Sequence, residues 1–290
     1  MSKSRIGGQA VIEGIMLKGK SDYTIAVRDL QNNILLIKNK ISIDLTWLNY
    51  FPIIRGFAFF IQSLWLGFKS LGISAAIQKG NKELRINRTE MTISLLSAFV
   101  IGFSVFFAAP LFIAESVKKI ISFPNKYYFL FFEGIIRLSF FILYIKLISR
   151  LRDVKRLFSY HGAEHKVINT YENGMELNVE NVKSASRFHP RCGTSFILFF
   201  FALSTIVFSF ITTKIILYKI LLRVLMIPLL AGISFEIIYF SEVLPSNLQK
   251  IFNIGLIFQR LTTSEPDESQ ITVAIIALNR LIENENRKTD

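Results

Sequence analysis

The chain has 290 residues, of which 51% are hydrophobic, and it carries a formal net charge of +13. Strong apolarity combined with strong basicity favours a protein with several membrane spans and basic surfaces on one side. Because the basic residues do not gather into long runs, the composition argues against a specific nucleic-acid-binding protein. The single cysteine excludes a disulfide within the chain, and residues 1–19 lack the long apolar core of a signal peptide.

The N-terminal segment, residues 1–46, has the pattern of a β-rich cytosolic region. An apolar run at residues 10–17 is interrupted by glycine. Two further apolar runs, at 23–28 and 34–38, flank a polar turn and predict a β-hairpin. Gly7-Gly8-Gln9 is too weak a pattern for a phosphate loop, and it predicts a tight turn before the first strand.

Residues 47–90 predict an amphipathic or re-entrant segment at the membrane interface, followed by a basic linker. Charges at Arg55 and Lys69 leave an uncharged run of about 13 residues between them. A helix that crosses a bilayer needs roughly 20 apolar residues. This segment is therefore expected not to span, and a span here would reverse the topology given below.

The membrane domain is predicted at residues 91–244. Four apolar stretches are each long enough to cross a hydrocarbon core of roughly 30 Å. The expected fold class is thus mainly α, a polytopic helix bundle with a small α+β cytosolic domain formed by the N- and C-terminal segments. The four stretches are residues 91–114, 127–149, 195–213 and 215–244.

Lysine and arginine are distributed unevenly around these spans. The segments before the first span, between the second and third, and after the fourth hold 26 of them, against 5 in the other two connections. Cytoplasmic segments of membrane proteins are enriched in these residues. The count predicts a multi-pass protein of the cell (inner) membrane, with both termini and the loop at 150–194 in the cytoplasm.

The C-terminal segment, residues 245–290, predicts a soluble helix. Acidic residues at 265–268 suit a first helical turn, and Ile271, Ile275 and Leu278 continue an apolar stripe. This helix is expected to pack on the N-terminal strands.

The strongest functional signal is YHGAEHK at residues 160–166, which holds two of the three histidines. Residues four apart on a helix share a face, so His161 and His165 can bind one metal ion, most simply zinc. The pattern His-x-x-Glu-His is the reversed zincin motif, in which the glutamate is the general base. Glu164 is the candidate base, within reach of a water at the metal.

A second cluster, HPRCG at residues 189–193, holds the third histidine and the cysteine. The second span is expected to continue as one helix through the first cluster to Tyr171, with Gly174 as its stop. Helical periodicity then places Glu172 on the face of the two histidines, as a ligand or as a partner of a ligand.

Two kinds of metal site fit this pattern. Four ligands fill a tetrahedral shell and make a structural zinc site. Three ligands, or a shell in which Glu172 replaces one of the four, leave a position for water, on which Glu164 can act as base. The four candidate ligands are His161, His165, His189 and Cys192.

Charges inside the predicted spans are costly and need partners. Glu133 and Arg137 are four residues apart and are predicted to pair on one helix face. Glu236 is predicted near the inner surface, on the side of the histidines. Arg223 is predicted toward the outer end of the fourth span, where its side chain reaches the interface.

Several of these stretches resemble the YqhQ-like family of bacterial and plastid-lineage membrane proteins. The resemblance covers nearly the whole chain and implies a membrane protein of the kind labelled a predicted metal-dependent enzyme, without a substrate. The matching stretches are GGQAVIEGIM at 7–16, YHGAEHK at 160–166, HPRCGTSF at 189–196, AGISFE at 231–236, QRLTT at 259–263 and EPD at 265–267.

The first functional hypothesis is a cytosol-facing, zinc-dependent hydrolase whose substrate reaches the inner membrane surface. A lipid headgroup, a peptide or a membrane-bound precursor would qualify. The alternative is a non-enzymatic scaffold or assembly factor with a structural zinc, whose basic face binds anionic phospholipid or a membrane-associated complex such as the ribosome. A transporter that uses Glu133, Arg137 and Glu236 ranks lower, because four spans form a small bundle.

Overall fold

The structure, a computed structural model, describes residues 6–41, 45–80, 88–211, 213–241 and 254–286. The basic linker at 81–87 and the predicted boundary at 244–245 lie outside the described residues. The fold is mainly helical with a small four-stranded antiparallel sheet near the N-terminus, which confirms the predicted fold class. The strands are β1 (Gly7–Val11), β2 (Gly14–Lys18), β3 (Asp22–Arg28) and β4 (Ile34–Lys40). The helices are α1 (Pro52–Gln78), α2 (Arg88–Phe103), α3 (Ala109–Lys118), α4 (Lys126–Ile148), α5 (Arg152–Glu172), α6 (Val179–Ser184), α7 (Gly193–Phe208), α8 (Ile216–Ser241), α9 (Ile254–Thr262) and α10 (Glu268–Asn286).

The strands follow one another in the sheet in chain order. The predicted hairpin is confirmed as β3 and β4, and its turn is held by Asp29, whose Oδ1 accepts hydrogen bonds from the backbone N–H of Gln31 and Asn33. The expected turn at 7–9 is wrong, because these residues belong to β1. The turn comes later, between Val11 and Gly14, where Gly14 packs so closely on β3 that a Cβ would strike its backbone.

Helices cover both faces of the sheet. Ile15, Leu17 and Ala26 point to one face and share a core with α5 and α10, so the C-terminal helix packs on the N-terminal strands as predicted. Met16 and Ile25 point to the other face. There they contact α1 through three buried side chains one or two turns apart, Leu66, Ile73 and Ile77.

Four helical segments are long and apolar enough to cross a membrane by length and composition: α1, the continuous 89–118 segment, α4 and α8. The predicted span at 195–213 corresponds to α7, which has only 16 residues. In contrast, most of the segment at 47–77 belongs to α1, which is an unbroken helix of 27 residues with Pro52 at its first turn, where proline is tolerated. Phenylalanine side chains from α4, α7 and the continuous 89–118 segment, in which a π-helical stretch at Ser104–Ala108 joins α2 to α3, form the core of the bundle.

The predicted continuous helix from the second span to Tyr171 is wrong. The chain turns at 149–151, between α4 and α5, and Leu151 is in an extended conformation. Asp153 lies in the first turn of α5, where an acidic residue favours a new helix start. The turn allows α5 to leave the direction of α4 and pack against the sheet.

Candidate metal centre

Helix α5 brings His161 and His165 together. Their ring centroids are 4.4 Å apart, as expected for residues one turn apart on one face. The opposite side of the helix is anchored by Tyr160 and Val167, which are completely buried against the sheet and α10. The helix ends at Glu172, and Gly174 follows with a φ of 74°, which confirms the predicted stop.

Backbone carbonyls orient both rings. His161 Nδ1 lies 2.9 Å from the carbonyl oxygen of Thr262, and His165 Nδ1 lies 2.7 Å from that of Arg187. A carbonyl oxygen only accepts hydrogen bonds, so each Nδ1 carries a proton, and Nε2 is the nitrogen of each ring that can bind a metal. This is the arrangement in which metal-binding histidines are commonly held.

Gly162 allows one of these carbonyls to come close. The segment after α9 crosses α5 here, and a Cβ on Gly162 would strike the backbone oxygen of Ser264. Ser264 also donates a hydrogen bond from its N–H to the carbonyl of Phe158, at 2.9 Å. Because Gly162 has no side chain, the segment after α9 can pass close to α5, and the Thr262 carbonyl can reach His161 Nδ1.

Cys192 completes a group of three. It is the N-cap residue of α7, its Sγ lies 3.2 Å from His161 Nε2, and it accepts hydrogen bonds from the N–H and hydroxyl of Thr194. One ligand atom each from His161, His165 and Cys192 lies within 4.8 Å of the others. Two imidazoles and a thiolate are a donor set that suits zinc.

The charges within this group favour metal binding. Burial raises the pKa of the Cys192 thiol, but the adjacent His161 and His165 outweigh burial and hold that pKa well below its usual range. Burial lowers the pKa of His161, yet the Cys192 thiolate outweighs burial and raises it to about 9. The metal-free group is therefore a thiolate beside an imidazolium, and the thiolate is the form that binds metals.

Glu164 lies in the same buried region. Its exposed fraction is 5%, and burial raises the pKa of its carboxyl group while the nearby His165 and His161 act in the opposite direction. Strand β1 covers the carboxylate, because Glu164 packs directly against the backbone at Gly8. The predicted base is thus held beside the histidines and shielded from bulk solvent.

His189 and Glu172 form a pair next to the group of three. His189 Nε2 lies 3.2 Å from a Glu172 carboxylate oxygen, and its Nδ1 accepts the N–H of Arg191 at 3.3 Å. Glu172 also pairs with the Arg191 side chain. The His189 ring centroid is 5.9 Å from that of His165. In this arrangement both ring nitrogens of His189 have protein partners, and Glu172 is a partner of His189.

Comparison with known proteins places the chain in a family. The sequence profile described as "Protein of unknown function (DUF1385)" matches residues 51–284. This chain belongs to that family. A relative of this chain, the "Uncharacterized protein YqhQ" of Bacillus subtilis (strain 168), is 34% identical over an alignment of 304 positions, which covers 97% of this chain and 95% of the relative. No solved structure matches the chain.

Some contributors to the site in this DUF1385 chain are not evident from the histidine pattern. Gln259 is fully buried, and its side chain holds the backbone of His189 through two hydrogen bonds. Its Oε1 accepts the His189 N–H at 2.9 Å, and its Nε2 donates to the His189 carbonyl at 2.6 Å. The carbonyls of Thr262 and Arg187 and the covering Gly8 were likewise missed. For Gln259 a signal was available, since a glutamine within a mainly apolar helix needs partners once it is buried.

Four charged residues of the predicted spans, Glu133, Arg137, Arg223 and Glu236, are buried in ion pairs. Glu133 and Arg137 lie 2.7 Å apart, which confirms the predicted pair. Arg223 was expected to reach the interface, and this is wrong. It is 3% exposed and makes two hydrogen bonds to Glu133, at 2.7 and 2.9 Å. Arg137 also donates to the Ser204 hydroxyl at 2.6 Å, so a single carboxylate holds two arginines inside the bundle.

Glu236 has a different partner. Its carboxylate forms a two-pronged ion pair with Arg55 on α1, one hydrogen bond of which is 3.0 Å long. Both residues are buried, and the Arg55 guanidinium also lies over the Tyr239 ring, 4.7 Å from its centroid. Glu236 thus joins α8 to α1.

Proposed function

We propose that the chain is a metal-dependent hydrolase, most simply a zinc enzyme, whose active site opens at the cytosolic surface of the membrane. The observation that carries the proposal is the buried carboxylate of Glu164 beside the His161, His165 and Cys192 group. Catalytic zinc sites typically have three protein ligands and an open position, and the bound zinc activates a water molecule.

Each protein group has a definite task in this proposal. His161 and His165 present Nε2 because their Nδ1 protons are held by carbonyls. Cys192 supplies negative charge as a thiolate. Glu164 accepts a proton from the attacking water, and a carboxyl group with a raised pKa is better matched to that task near neutral pH.

The position of the site supports a membrane-associated substrate. Cys192 is the N-cap of α7, an apolar helix of the bundle, so the group lies at the start of a helix that this proposal embeds in the membrane. A substrate that is itself anchored in the cytosolic leaflet, such as a lipid headgroup, a peptide or a membrane-bound precursor, would meet the site at this level.

The proposal is tested by comparing Glu164→Gln with Glu176→Gln, a change at an exposed glutamate beyond the end of α5. Metal content of the purified proteins and complementation of a deletion strain are measured together. Loss of a general base costs about 10²–10⁴-fold in rate. Glu164→Gln is expected to keep its zinc and lose complementation, whereas Glu176→Gln keeps both. A Glu164→Gln variant that complements fully rules out the hydrolase.

A second candidate is a structural zinc in a scaffold or assembly factor. It is favoured by the burial of His165 and Cys192, which are only 2% and 7% exposed. It is also favoured by the hydrogen bonds that join this group to the carbonyls of Thr262 and Arg187 and to Thr194. In that case His161→Ala would lose both zinc and thermal stability, and Glu164→Gln would be neutral in cells. Binding of the purified protein to anionic phospholipid vesicles or to ribosomes would then identify the partner.

A further inference from the structure

Three parts of the chain lie on one side of the membrane. The sheet, α5 and α10 share one hydrophobic core, in which Ile15, Tyr160 and Leu278 are completely buried. The charge distribution predicts that this side is cytoplasmic. A chain that leaves one side of a membrane and returns to it must cross an even number of times.

This parity limits which helices cross. Between the sheet and α5 lie three candidate segments, namely α1, the 89–118 segment and α4, and they cannot all span. Between α5 and α10, α7 and α8 form an even pair, so α7 crosses although it is short. By length and composition alone, α1 is a better candidate than α7 for crossing the membrane. The shared core leads to the opposite assignment, in which α7 crosses and α1 does not.

We propose that α1 is the helix that does not cross, and that its outward face is a binding surface for the cytosolic leaflet of the bilayer. The second half of α1 is held against the sheet. Ser74 Oγ accepts the Ile12 N–H at 3.2 Å, and Gln78 Nε2 donates to the Arg28 carbonyl at 2.6 Å. A helix fixed along a water-soluble sheet over these turns cannot thread the hydrocarbon core.

The outward face of α1 has the composition of a membrane-surface helix. At 100° per residue its buried positions fall on one side, and a row of exposed apolar side chains falls on the other. Both tryptophans of the chain belong to this region, and tryptophan is enriched at membrane interfaces. The exposed side chains are Ile54, Ile61, Leu64 and Trp65 on α1, with Trp47 just before it.

The first turn of α1 fixes its depth. Arg55 pairs with Glu236, and Gly56 lies against the backbone oxygen of Gly232. Both α8 residues lie within the last turns of that helix, which ends at Ser241 on the side of the shared core. The start of α1 therefore reaches only into the adjacent leaflet, while Phe60 stacks on Phe196 at the start of α7.

Tryptophan fluorescence tests the proposal directly, because the chain has two tryptophans. Trp47→Phe leaves Trp65, which lies at the midpoint of α1. The variant is reconstituted in phospholipid vesicles whose acyl chains carry bromine either near the glycerol end or near the methyl end. An α1 on the surface gives stronger quenching by the shallow bromines. A spanning α1 puts Trp65 at the bilayer centre and reverses the order, and the absence of quenching by both would also overturn the proposal.

Sidedness gives an independent readout. Single cysteines replace exposed residues at the two ends of α1, Tyr50→Cys and Lys79→Cys, and at references on α10 and after α3, Asn279→Cys and Lys119→Cys. The native Cys192 is buried and gives a low background. With a membrane-impermeant maleimide, positions 50, 79 and 279 should label from one side and position 119 from the other. Labelling of 50 and 79 from opposite sides would show that α1 spans.

Discussion

Gly8 lies directly against the carboxylate of Glu164: a Cβ at position 8 would be 2.6 Å from Glu164 Oε1 and 2.8 Å from its Cδ. The side chain at position 8 thus controls where the candidate base can lie. Neighbouring Gln9 packs on Gly67 of α1, so β1 lies between α1 and the metal centre.

Gly8→Ala is expected to displace the Glu164 side chain without removing a metal ligand. Zinc content should stay unchanged, and complementation by a hydrolase should fall as it does for Glu164→Gln. Gly7→Ala is the matched control, because nothing lies within 4 Å of a Cβ built there. If Gly8→Ala loses its zinc, the strand supports the ligands themselves rather than the base.

Zinc binding should strengthen as the pH rises to about 9. With the pKa of His161 raised to about 9, zinc must displace a proton from this ring at neutral pH. Cys192 is already a thiolate and releases none. One displaced proton changes affinity by about tenfold per pH unit, and the dependence should level off above the pKa of His161. Competition with a chelator of known affinity between pH 7 and 9.5 measures this slope. A plateau that begins near pH 7 would contradict the thiolate–imidazolium pair.

Removal of zinc from the His161, His165 and Cys192 group should lower the thermal stability of the protein. Zinc that binds only the folded chain stabilises it by about 4 kcal/mol when its free concentration is about 1,000 times Kd. Chelator treatment is expected to lower the melting temperature in detergent, and added zinc should restore it. His161→Ala should melt at one temperature with or without zinc. A wild type whose melting ignores both chelator and zinc would show that the group binds no metal.

Glu133→Gln is expected to be strongly destabilising. It leaves Arg137 and Arg223 buried without their carboxylate, and removal of one partner from a buried ion pair costs about 3–5 kcal/mol. Glu115→Gln is the control, because Glu115 and its partner Lys219 are less completely buried than the Glu133 pairs, so its loss should be smaller. Thermal unfolding in one detergent compares them, and Glu133→Gln combined with Arg223→Met should recover part of the loss. Equal effects at positions 133 and 115 would contradict the buried network.

Features set by local sequence were predictable. Spacing along a short piece of chain was enough to predict four features. These are the hairpin of β3 and β4, the helix stop at Gly174, the pair of His161 and His165 and the pair of Glu133 and Arg137. Features that depend on distant segments were missed. Arg223 was misplaced because its partner, Glu133, lies 90 positions earlier in the chain. The turn at 149–151 was missed because apolar and basic helix formers continue through it, and packing against the sheet decides where the helix ends.

At the metal centre, too, local features were predictable and long-range contacts were not. Periodicity identified His161, His165 and Glu164 because one helix carries all three. It also placed Glu172 on the correct face, but its contact with His189 depends on how the 173–192 loop returns. The carbonyls of Thr262 and Arg187 leave no trace in residue type, since every residue has a carbonyl. Their role emerges only when the chain is folded.

The shared core also fixes an order of events during synthesis. The sheet is made before the membrane helices, yet one of its faces is covered by α10, which is made after them. Between them the chain must insert its membrane helices, so Ile15, Leu17 and Ala26 remain uncovered by α10 throughout insertion. Contacts between segments so distant in sequence form slowly. A nascent chain stalled before residue 268 should therefore expose an apolar sheet face and depend on chaperones or on the nearby membrane surface until α10 is made.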